Sequence, residues 1–398
     1  MNPDIEKLQP YPFEKLKALL AQVAPPQKLK HISLSIGEPK HPSPKIVLDS
    51  LSENMSKLSN YPTTKGLPEF RLAMADWATK RFSLNSPLCH EDNILPVNGT
   101  REAIFSFTQA VIDRTKNALI ISPNPFYQIY EGATYLAGAE LLLLAAGEEN
   151  NYSPDYDAVT ELQWQQCQIL FLCSPGNPTG SVTSAKTLKK LISLSDKYDF
   201  IIASDECYSE IYCDEKNPPV GLLQVCAELG RDQYKRCIVF HSLSKRSNLP
   251  GLRSGFIAGD ASILKQYFKY RTYHGSAMPI QHQLASIEAW NDESHVVQNR
   301  VEYKKKFDAV LAVLQDVMDI SQTDASFYLW PKTHIPDDTF TQKLFEQQNV
   351  TVLPGSYVSR TVNGVNPGTN HIRMALVASE QDCIEAANRI KQFIQDNK

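Results

Sequence analysis

The residue types best suited to covalent chemistry stand together in one short segment. Ser242, Ser244 and Lys245 lie within four positions, and Arg253 follows the lysine eight residues later. The preceding residues 236–241 are mostly apolar and β-branched, which indicates a buried strand that ends next to the lysine. Two hydroxyls and a guanidinium can hold a phosphate while the amine attacks a carbonyl carbon. An isolated Ser-Lys pair is usually a solvated turn, so this interpretation depends on the rest of the chain.

Polar residues also follow two other apolar runs. Asn177 comes soon after residues 169–173, and Asp205 comes two positions after residues 200–203. Because open α/β sheets bind ligands at the carboxyl ends of their strands, these side chains are expected beside Lys245. A buried carboxylate needs a cationic partner, such as a protonated pyridine nitrogen. Together with a lysine beside a phosphate site, this indicates pyridoxal 5′-phosphate as the cofactor.

A helix is predicted to begin near Gly99, because residues 102–110 have helical spacing of apolar side chains. Its first backbone N–H groups and its dipole favour an anion, so the phosphate is expected there, opposite Ser242 and Arg253. Each motif alone has a plainer interpretation. Asn-Pro-Thr-Gly at 177–180 is a common turn, and an Asp at a strand end is often a helix cap. The combination of motifs is what indicates a cofactor site.

The apolar pattern of the middle of the chain predicts the elements that hold these side chains. Residues 184–198 have helical spacing, with Leu188, Leu191 and Ile192 on one face. Such stretches alternate with short apolar runs at 118–121, 140–144, 169–173, 200–203, 238–240 and 255–258. Continuous apolar strands separated by helices predict an α/β fold, with a mostly parallel sheet that is covered on both sides.

The pattern changes after Pro279, where helices are predicted over 281–290 and 302–318 and a strand at 326–330. This change predicts a second, smaller α+β domain. The chain is predicted to divide into an N-terminal arm with part of the small domain (1–48), a large cofactor-binding domain (49–284) and the C-terminal small domain (285–398).

Composition argues against several other classes of protein. The 398 residues carry a net charge of −4, which argues against nucleic acid as a partner. No apolar run is long enough to span a membrane, and no basic and then apolar leader opens the chain. The eight cysteines form no CxxC pair, so neither a disulfide framework nor a metal site is expected. A reducing cytoplasm is the expected location.

The order of these motifs resembles that of the class I/II aminotransferases, which belong to the aspartate aminotransferase superfamily and to fold type I of the pyridoxal-phosphate enzymes. The resemblance extends from Leu-Ser-Ile-Gly-Glu-Pro at 34–39 to His-Ile-Arg-Met at 371–374. It implies a large domain with a seven-stranded, mostly parallel sheet and a smaller α+β domain. It also implies amino-acid and keto-acid substrates, and a homodimer whose active sites are shared between subunits.

The resemblance also implies a role for each matching residue. Lys245 resembles the lysine that bonds to the cofactor and acts as general base, Asp205 the partner of the pyridine nitrogen, and Tyr208 a catalytic ligand of the ring hydroxyl. Tyr61 resembles a tyrosine that reaches the phosphate of the neighbouring subunit. The other residues that resemble cofactor ligands are Gly99, Thr100, Arg101, Tyr127, Asn177, Ser242, Ser244 and Arg253. Those that resemble ligands of the substrate, including its α-carboxylate, are Gly37, Asn177 and Arg373.

Residues 242–255 and 270–279 are similar to those of the bacterial N-succinyldiaminopimelate aminotransferases of lysine biosynthesis. This similarity implies a ping-pong exchange of an amino group between N-succinyl-LL-2,6-diaminopimelate and 2-oxoglutarate or glutamate. Within 270–279, Arg271 and His274 could meet the succinyl carboxylate, or they could lie on a solvated helix end. Residues 323–327 depart from the pattern, because Thr-Asp-Ala-Ser-Phe lacks the glycine pair that many relatives carry.

Two alternatives stay open. The same cofactor motifs serve other reactions. The first alternative is therefore another enzyme of this fold, such as an aspartate, alanine or aromatic aminotransferase, a β-lyase or a decarboxylase. The other alternative is a regulatory module that senses a ligand, which requires a basic helix-turn-helix segment in front of this fold. Because the Gly37 motif stands within the first forty residues, we expect no such segment and expect an enzyme.

Overall fold

The computed structural model describes residues 1–397. Its strands are β1 (Ile32–Ser33), β2 (Ile94–Val97), β3 (Leu119–Asn124), β4 (Glu140–Ala145), β5 (Cys167–Cys173), β6 (Ile201–Asp205), β7 (Cys237–Ser242), β8 (Gly255–Gly259), β9 (Tyr328–Leu329), β10 (Val350–Thr351), β11 (Leu353–Pro354) and β12 (Ile372–Ala375). Its α-helices are α1 (Pro12–Leu20), α2 (Lys45–Glu53), α3 (Pro68–Arg81), α4 (Thr100–Val111), α5 (Ile129–Leu136), α6 (Glu161–Gln166), α7 (Ala185–Tyr198), α8 (Leu222–Glu228), α9 (Leu243–Arg246), α10 (Ala261–His274), α11 (Ile280–Asn291), α12 (Ser294–Leu314), α13 (Asp337–Gln348) and α14 (Glu380–Asp396). Short 3₁₀ helices lie at Pro3–Lys7, Met55–Ser59, Glu148–Asn150, Tyr156–Ala158, Pro250–Leu252 and Gly355–Val358.

Strands β2 to β8 form the large sheet, in the order β2-β8-β7-β6-β5-β3-β4. The neighbours from β7 to β4 pair in parallel, whereas β8 runs antiparallel to both β7 and β2. The predicted seven-stranded, mostly parallel sheet is confirmed. The expectation of a buried run at 140–144 is wrong in part, because β4 lies at the edge of the sheet and most of its side chains are half exposed.

Alternate side chains of the central strands pack against opposite helical layers. In β5, Leu170 and Leu172 belong to the core that α3, α7, α8 and α11 cover. Ile169 and Phe171 of the same strand belong to the core that α4, α5 and α10 cover. Because successive side chains of a strand point to opposite faces, a strand buried on both faces is apolar at every position. This explains the continuous apolar runs of the sequence.

Helix α7 shows how the sequence sets the ends of an element. Ser184 precedes the helix, and its hydroxyl accepts a hydrogen bond from the Thr187 backbone N–H at 3.1 Å. Leu188 and Leu191 are buried against the sheet. The helix ends where Asp199 adopts a left-handed conformation with φ of 61°. The predicted helix is confirmed.

The short strands and helices α12 to α14 form a second core. Strand β1 pairs in parallel with β10, which joins the N-terminal segment to this core. Strand β12 lies between β11 and β9 and runs antiparallel to both. Phe307, Phe340 and Phe393 come from the three helices and pack together with these strands. Helix α12 begins eight residues before the predicted start at 302, because Val296 and Asn299 already pack inside the protein.

Both predicted domain boundaries fall inside helices. The boundary after residue 48 lies within α2, and the boundary after residue 284 lies within α11. In α11, Ala285, Ala289 and Trp290 belong to the core of the large sheet. We therefore propose that the large domain continues to the end of α11 and that the small domain begins with α12.

The eight cysteines are free, and Cys167, Cys226, Cys237 and Cys383 are buried. Within residues 1–397, no helix is long and apolar enough to cross a membrane.

Candidate active site

A cavity of about 530 Å³ opens at the carboxyl ends of the central strands. Asp205 is the last residue of β6, and Lys245 lies in α9 directly after β7. Arg373 reaches the same cavity from β12 of the second core. Twelve of the predicted site residues line it, namely Gly37, Thr100, Arg101, Tyr127, Asn177, Asp205, Tyr208, Ser242, Ser244, Lys245, Arg253 and Arg373. Gly99 and Tyr61 are the two that do not.

The Lys245 side chain lines this cavity. Its Nζ donates a hydrogen bond to the backbone carbonyl of Gly37 at 2.5 Å. Burial lowers the pKa of Lys245 to about 8, and the nearby charges of Arg373 and Arg253 act in the same direction. A neutral amine is the form that attacks a carbonyl carbon or accepts a proton, so this pKa makes Nζ reactive close to neutral pH.

The Asp205 carboxylate is buried beside the cavity. Burial raises its pKa, and hydrogen bonds oppose that effect. The Tyr130 hydroxyl donates to Oδ2 at 2.9 Å, and the Cys207 backbone N–H donates to Oδ1 at 3.3 Å. Among residues 1–397, no lysine or arginine lies within hydrogen-bond distance of either oxygen. A protonated ring nitrogen fits this site, because it would supply the missing cation.

Arg253 and the start of α4 form an anion-binding corner. Within the described residues the guanidinium donates only to backbone carbonyls, that of Pro250 at 3.0 Å and that of Asn98 at 3.3 Å. Gly99 has a φ of 84°, and a Cβ there would lie 2.0 Å from Arg253 Nη2, so this approach requires glycine. The hydroxyls of Ser242 and Ser244, 2.9 Å apart, line the same corner. An uncompensated guanidinium, two hydroxyls and a helix N-terminus fit a phosphate.

Arg373 and Asn177 meet on the opposite side of the cavity. Nη1 of Arg373 donates to Asn177 Oδ1 at 2.8 Å, and Nη2 donates to the Ser35 carbonyl at 2.7 Å. Of the five N–H groups of a guanidinium, these bonds use two. Because the Asn177 carbonyl oxygen faces Arg373, its amide nitrogen remains available to a ligand, as the sequence predicts for a ring hydroxyl.

Together these groups fit pyridoxal 5′-phosphate, with a nucleophilic amine, a carboxylate for the ring nitrogen and a phosphate corner in one cavity. The family model named Aminotransferase class I and II matches residues 30–390 of the chain. The chain belongs to this family. Enzymes of the family use pyridoxal 5′-phosphate, so the cofactor predicted from the sequence is confirmed.

This aminotransferase is similar along nearly its whole length to known proteins. It is 32% identical over 392 residues to an LL-diaminopimelate aminotransferase of Maridesulfovibrio salexigens, with 97% of each chain covered. A solved aminotransferase structure from Neisseria meningitidis is 47% identical with a TM-score of 0.94, and the match covers 98% of this chain and 99% of that one. The aminotransferase AspB from Helicobacter pylori is 34% identical with a TM-score of 0.90, over 98% and 99% of the two chains.

The aminotransferase cavity also contains residues that sequence reasoning missed. Tyr328 lines it, its hydroxyl lies 2.9 Å from the Tyr208 hydroxyl, and a Cβ at Gly37 would lie 2.0 Å from the Tyr328 oxygen. Arg101 was predicted as a cofactor ligand, but the contacts of its side chain were not: it donates to the hydroxyls of Tyr127 at 2.5 Å and Tyr11 at 3.0 Å. No pattern in the sequence pairs residues this far apart.

Two predictions about more distant residues had different outcomes. Tyr61 is fully exposed and lies outside the cavity of its own chain, so its contact with a neighbouring subunit stays a prediction.

Both alternatives for Arg271, a contact with the succinyl carboxylate and a solvated helix end, are wrong. Its side chain is 1% exposed and donates to Glu102 Oε1 at 2.8 Å and to the Ser276 carbonyl at 2.7 Å. It therefore belongs neither to a solvated helix end nor to the substrate cavity.

Proposed function

We propose that this aminotransferase exchanges an amino group between N-succinyl-LL-2,6-diaminopimelate and 2-oxoglutarate in two alternating half-reactions. The observation that carries the proposal is that Lys245, Asp205 and Arg373 line one cavity in a member of the aminotransferase family. The similarity of residues 242–255 and 270–279 to the succinyldiaminopimelate enzymes supports the choice of substrate. The names of the diaminopimelate aminotransferases among its relatives support the same substrate class.

Lys245 would perform the proton transfer. When bound, pyridoxal 5′-phosphate supplies an electrophilic carbon that bonds to amines and a protonated ring that withdraws electrons from the substrate. Lys245 would hold the cofactor through its Nζ. When free, Nζ would accept the α-proton of the substrate and give it up again in the same half-reaction. Its pKa of about 8 suits both steps, because a general base works best with a pKa near the operating pH.

Arg373 would hold the α-carboxylate that both substrates share. Arg373 is 4% exposed and its guanidinium is already fixed by Asn177 and Ser35, so it loses little freedom when a carboxylate binds. Its remaining N–H groups can form the paired hydrogen bonds that arginine makes to carboxylates. Asp205 would keep the ring nitrogen protonated, and Tyr208 and Asn177 would bind the ring oxygen.

A second candidate substrate is LL-2,6-diaminopimelate without the succinyl group. The names of curated relatives that are 32% identical over 96–97% of this chain favour it. The two substrates differ at the distal end, where succinylation replaces an ammonium by an amide and adds a carboxylate. We favour the succinylated substrate because residues 270–279 are similar to those of the succinyldiaminopimelate enzymes.

We also propose that the working enzyme is a homodimer. The proposal rests on the resemblance to the family and on Tyr61, whose predicted partner is a phosphate in the other subunit. The fully exposed Tyr61 side chain is consistent with that role, because its hydroxyl is free to contact a second subunit.

The deciding experiment measures kcat/KM with 2-oxoglutarate as acceptor for both forms of diaminopimelate, with aspartate, alanine and phenylalanine as controls. The proposal expects the succinylated substrate to be preferred at least tenfold. A preference for the free diamino acid would establish the second candidate, and a preference for a control would exclude both. The Lys245→Ala variant supplies the background rate.

A further inference from the structure

The Asp205 carboxylate is held by a tyrosine that no motif assigned to the site. Tyr130 lies in α5, three residues after Tyr127, and its side chain is completely buried. Its hydroxyl donates to Oδ2 of Asp205 at 2.9 Å. Burial and the Asp205 charge raise the pKa of Tyr130 far above its usual value, so the hydroxyl keeps its proton and can only donate to the carboxylate.

The rest of the surroundings fix the tyrosine ring. The ring stacks on Phe171 of the neighbouring strand at 4.8 Å and an angle of 17°. It meets the Tyr127 ring edge to face, at 5.9 Å and 82°. With its ring held from two sides, the hydroxyl has one position, and that position is directed at the carboxylate.

Each oxygen of the Asp205 carboxylate accepts one hydrogen bond from the protein. Oδ2 accepts from Tyr130, and Oδ1 accepts from the Cys207 backbone N–H. Each carboxylate oxygen has a second acceptor site, and Asp205 also lines the cavity. A buried carboxylate without such donors would take up a proton or turn away, and either change would remove the anion from the ring nitrogen.

We infer that Tyr130 is a positioning residue that keeps Asp205 ionised and directed at the ring nitrogen of the cofactor. Tyr130 thereby determines how strongly the site distinguishes a ring with a basic nitrogen from one without it. The inference rests on the proposed role of Asp205, and its test must separate the two.

The test compares equilibrium binding of two probes to the cofactor-free protein. One probe is pyridoxal 5′-phosphate, and the other is its deaza analogue, in which a C–H group replaces the ring nitrogen. The quantity measured is the ratio of the two dissociation constants, obtained by absorbance titration without any turnover. Tyr130→Phe retains the ring that stacks on Phe171 and removes only the hydroxyl.

Tyr130→Phe should lower the preference for the natural cofactor by about tenfold, with little change in binding of the analogue, because a hydrogen bond to a charged group is lost. Tyr267→Phe is the matched control. It removes another buried hydroxyl, which is bonded to Ser106 at 2.7 Å, away from Asp205. It should leave the ratio unchanged.

The outcomes are distinct. Asp205→Asn should abolish the preference, and a preference that persists in this variant would contradict the role of Asp205 itself. If Asp205→Asn loses the preference and Tyr130→Phe retains it in full, the inference about Tyr130 is overturned while the function stands. Should Tyr130→Phe not fold, Tyr130→Leu, which also lacks the hydroxyl, decides the question. A preference retained in full by a folded Tyr130→Leu protein would overturn the inference.

Discussion

Arg373 and Asn177 are joined by a hydrogen bond of 2.8 Å between Nη1 and Oδ1, although they belong to different cores of the protein. Asn177 follows β5 of the large sheet, and Arg373 lies in β12 of the second core. The bond links the arginine proposed to hold the substrate to the amide proposed to hold the cofactor ring. With these proposed roles, the contact would couple substrate binding to the orientation of the ring.

The first prediction concerns the paired hydrogen bonds of Arg373. Arg373→Lys keeps the charge but presents a single ammonium in place of a planar fork, so the α-carboxylate loses one hydrogen bond and its orientation. We expect kcat/KM to fall about 10- to 100-fold for every amino and keto substrate. The exposed Arg114→Lys is the control and should behave as wild type. Equal losses in both variants would contradict the assignment.

The second prediction identifies the lysine that bonds to the cofactor. Borohydride reduction of the loaded enzyme, followed by peptide mapping, should place the cofactor on Lys245, and Lys245→Ala should carry none. Lys306 is an internal control, because it is also buried but its Nζ lies 2.6 Å from His41 Nε2 and does not line the cavity. Label on Lys306 would show that burial alone, without the site, selects the lysine.

The third prediction follows from the lowered pKa of Lys245. An amine with a pKa of about 8 is protonated below that pH and nucleophilic above it. The rate at which the cofactor-free protein bonds to pyridoxal 5′-phosphate should therefore rise with pH around a midpoint near 8, well below that of an ordinary lysine. A midpoint above 10, measured by stopped-flow absorbance, would mean that the cavity does not lower the pKa.

The sequence predicted those parts of the fold in which a single structural rule determines the order of apolar and polar residues. Leu170 and Ile169 lie on opposite faces of a covered strand, so both are apolar and the run is evident. Ser184 caps a helix through its own hydroxyl, which is a local interaction. Asp205 and Lys245 follow buried strands, and in a parallel sheet the ends of such strands come together.

What the sequence did not reveal depends on contacts between distant segments. The hydrogen bond from Tyr130 to Asp205 depends on the direction of two side chains that are 75 residues apart. The burial of Arg271 depends on Glu102 of another helix, so the sequence predicted only a contact with the succinyl carboxylate or a solvated helix end. The role predicted for Tyr61 depends on a contact between two chains, which no pattern within one chain encodes.

The fourth prediction tests whether Tyr61 acts across a dimer interface. Tyr61→Phe removes one hydroxyl from a fully exposed ring and should weaken cofactor retention if that hydroxyl binds a phosphate. Co-expression with Lys245→Ala should restore activity, because a mixed dimer contains one site with both residues intact. Retention in the mixed dimers is measured by dialysis and absorbance. Without recovery, Tyr61 either acts within its own subunit or has no role at the site.

The last prediction separates substrate recognition from structural support within residues 270–279. Arg271 forms a buried ion pair with Glu102, so Arg271→Ala should cost about 3 kcal/mol of unfolding free energy and leave the substrate preference unchanged. Ala277 is half-buried, and its replacement removes no polar group. Ser276 is less suitable, because its hydroxyl accepts a hydrogen bond from Asn98 at 3.1 Å. Ala277→Leu should therefore lower kcat/KM for the succinylated substrate far more than for glutamate, if this segment makes room for the succinyl arm in the assembled dimer. Urea unfolding measures the loss of stability in Arg271→Ala. The ratio of the two kcat/KM values measures the change of substrate preference in Ala277→Leu. Equal losses for both substrates in Ala277→Leu would mean that the segment only supports the fold, and the succinylated substrate would lose its support from residues 270–279.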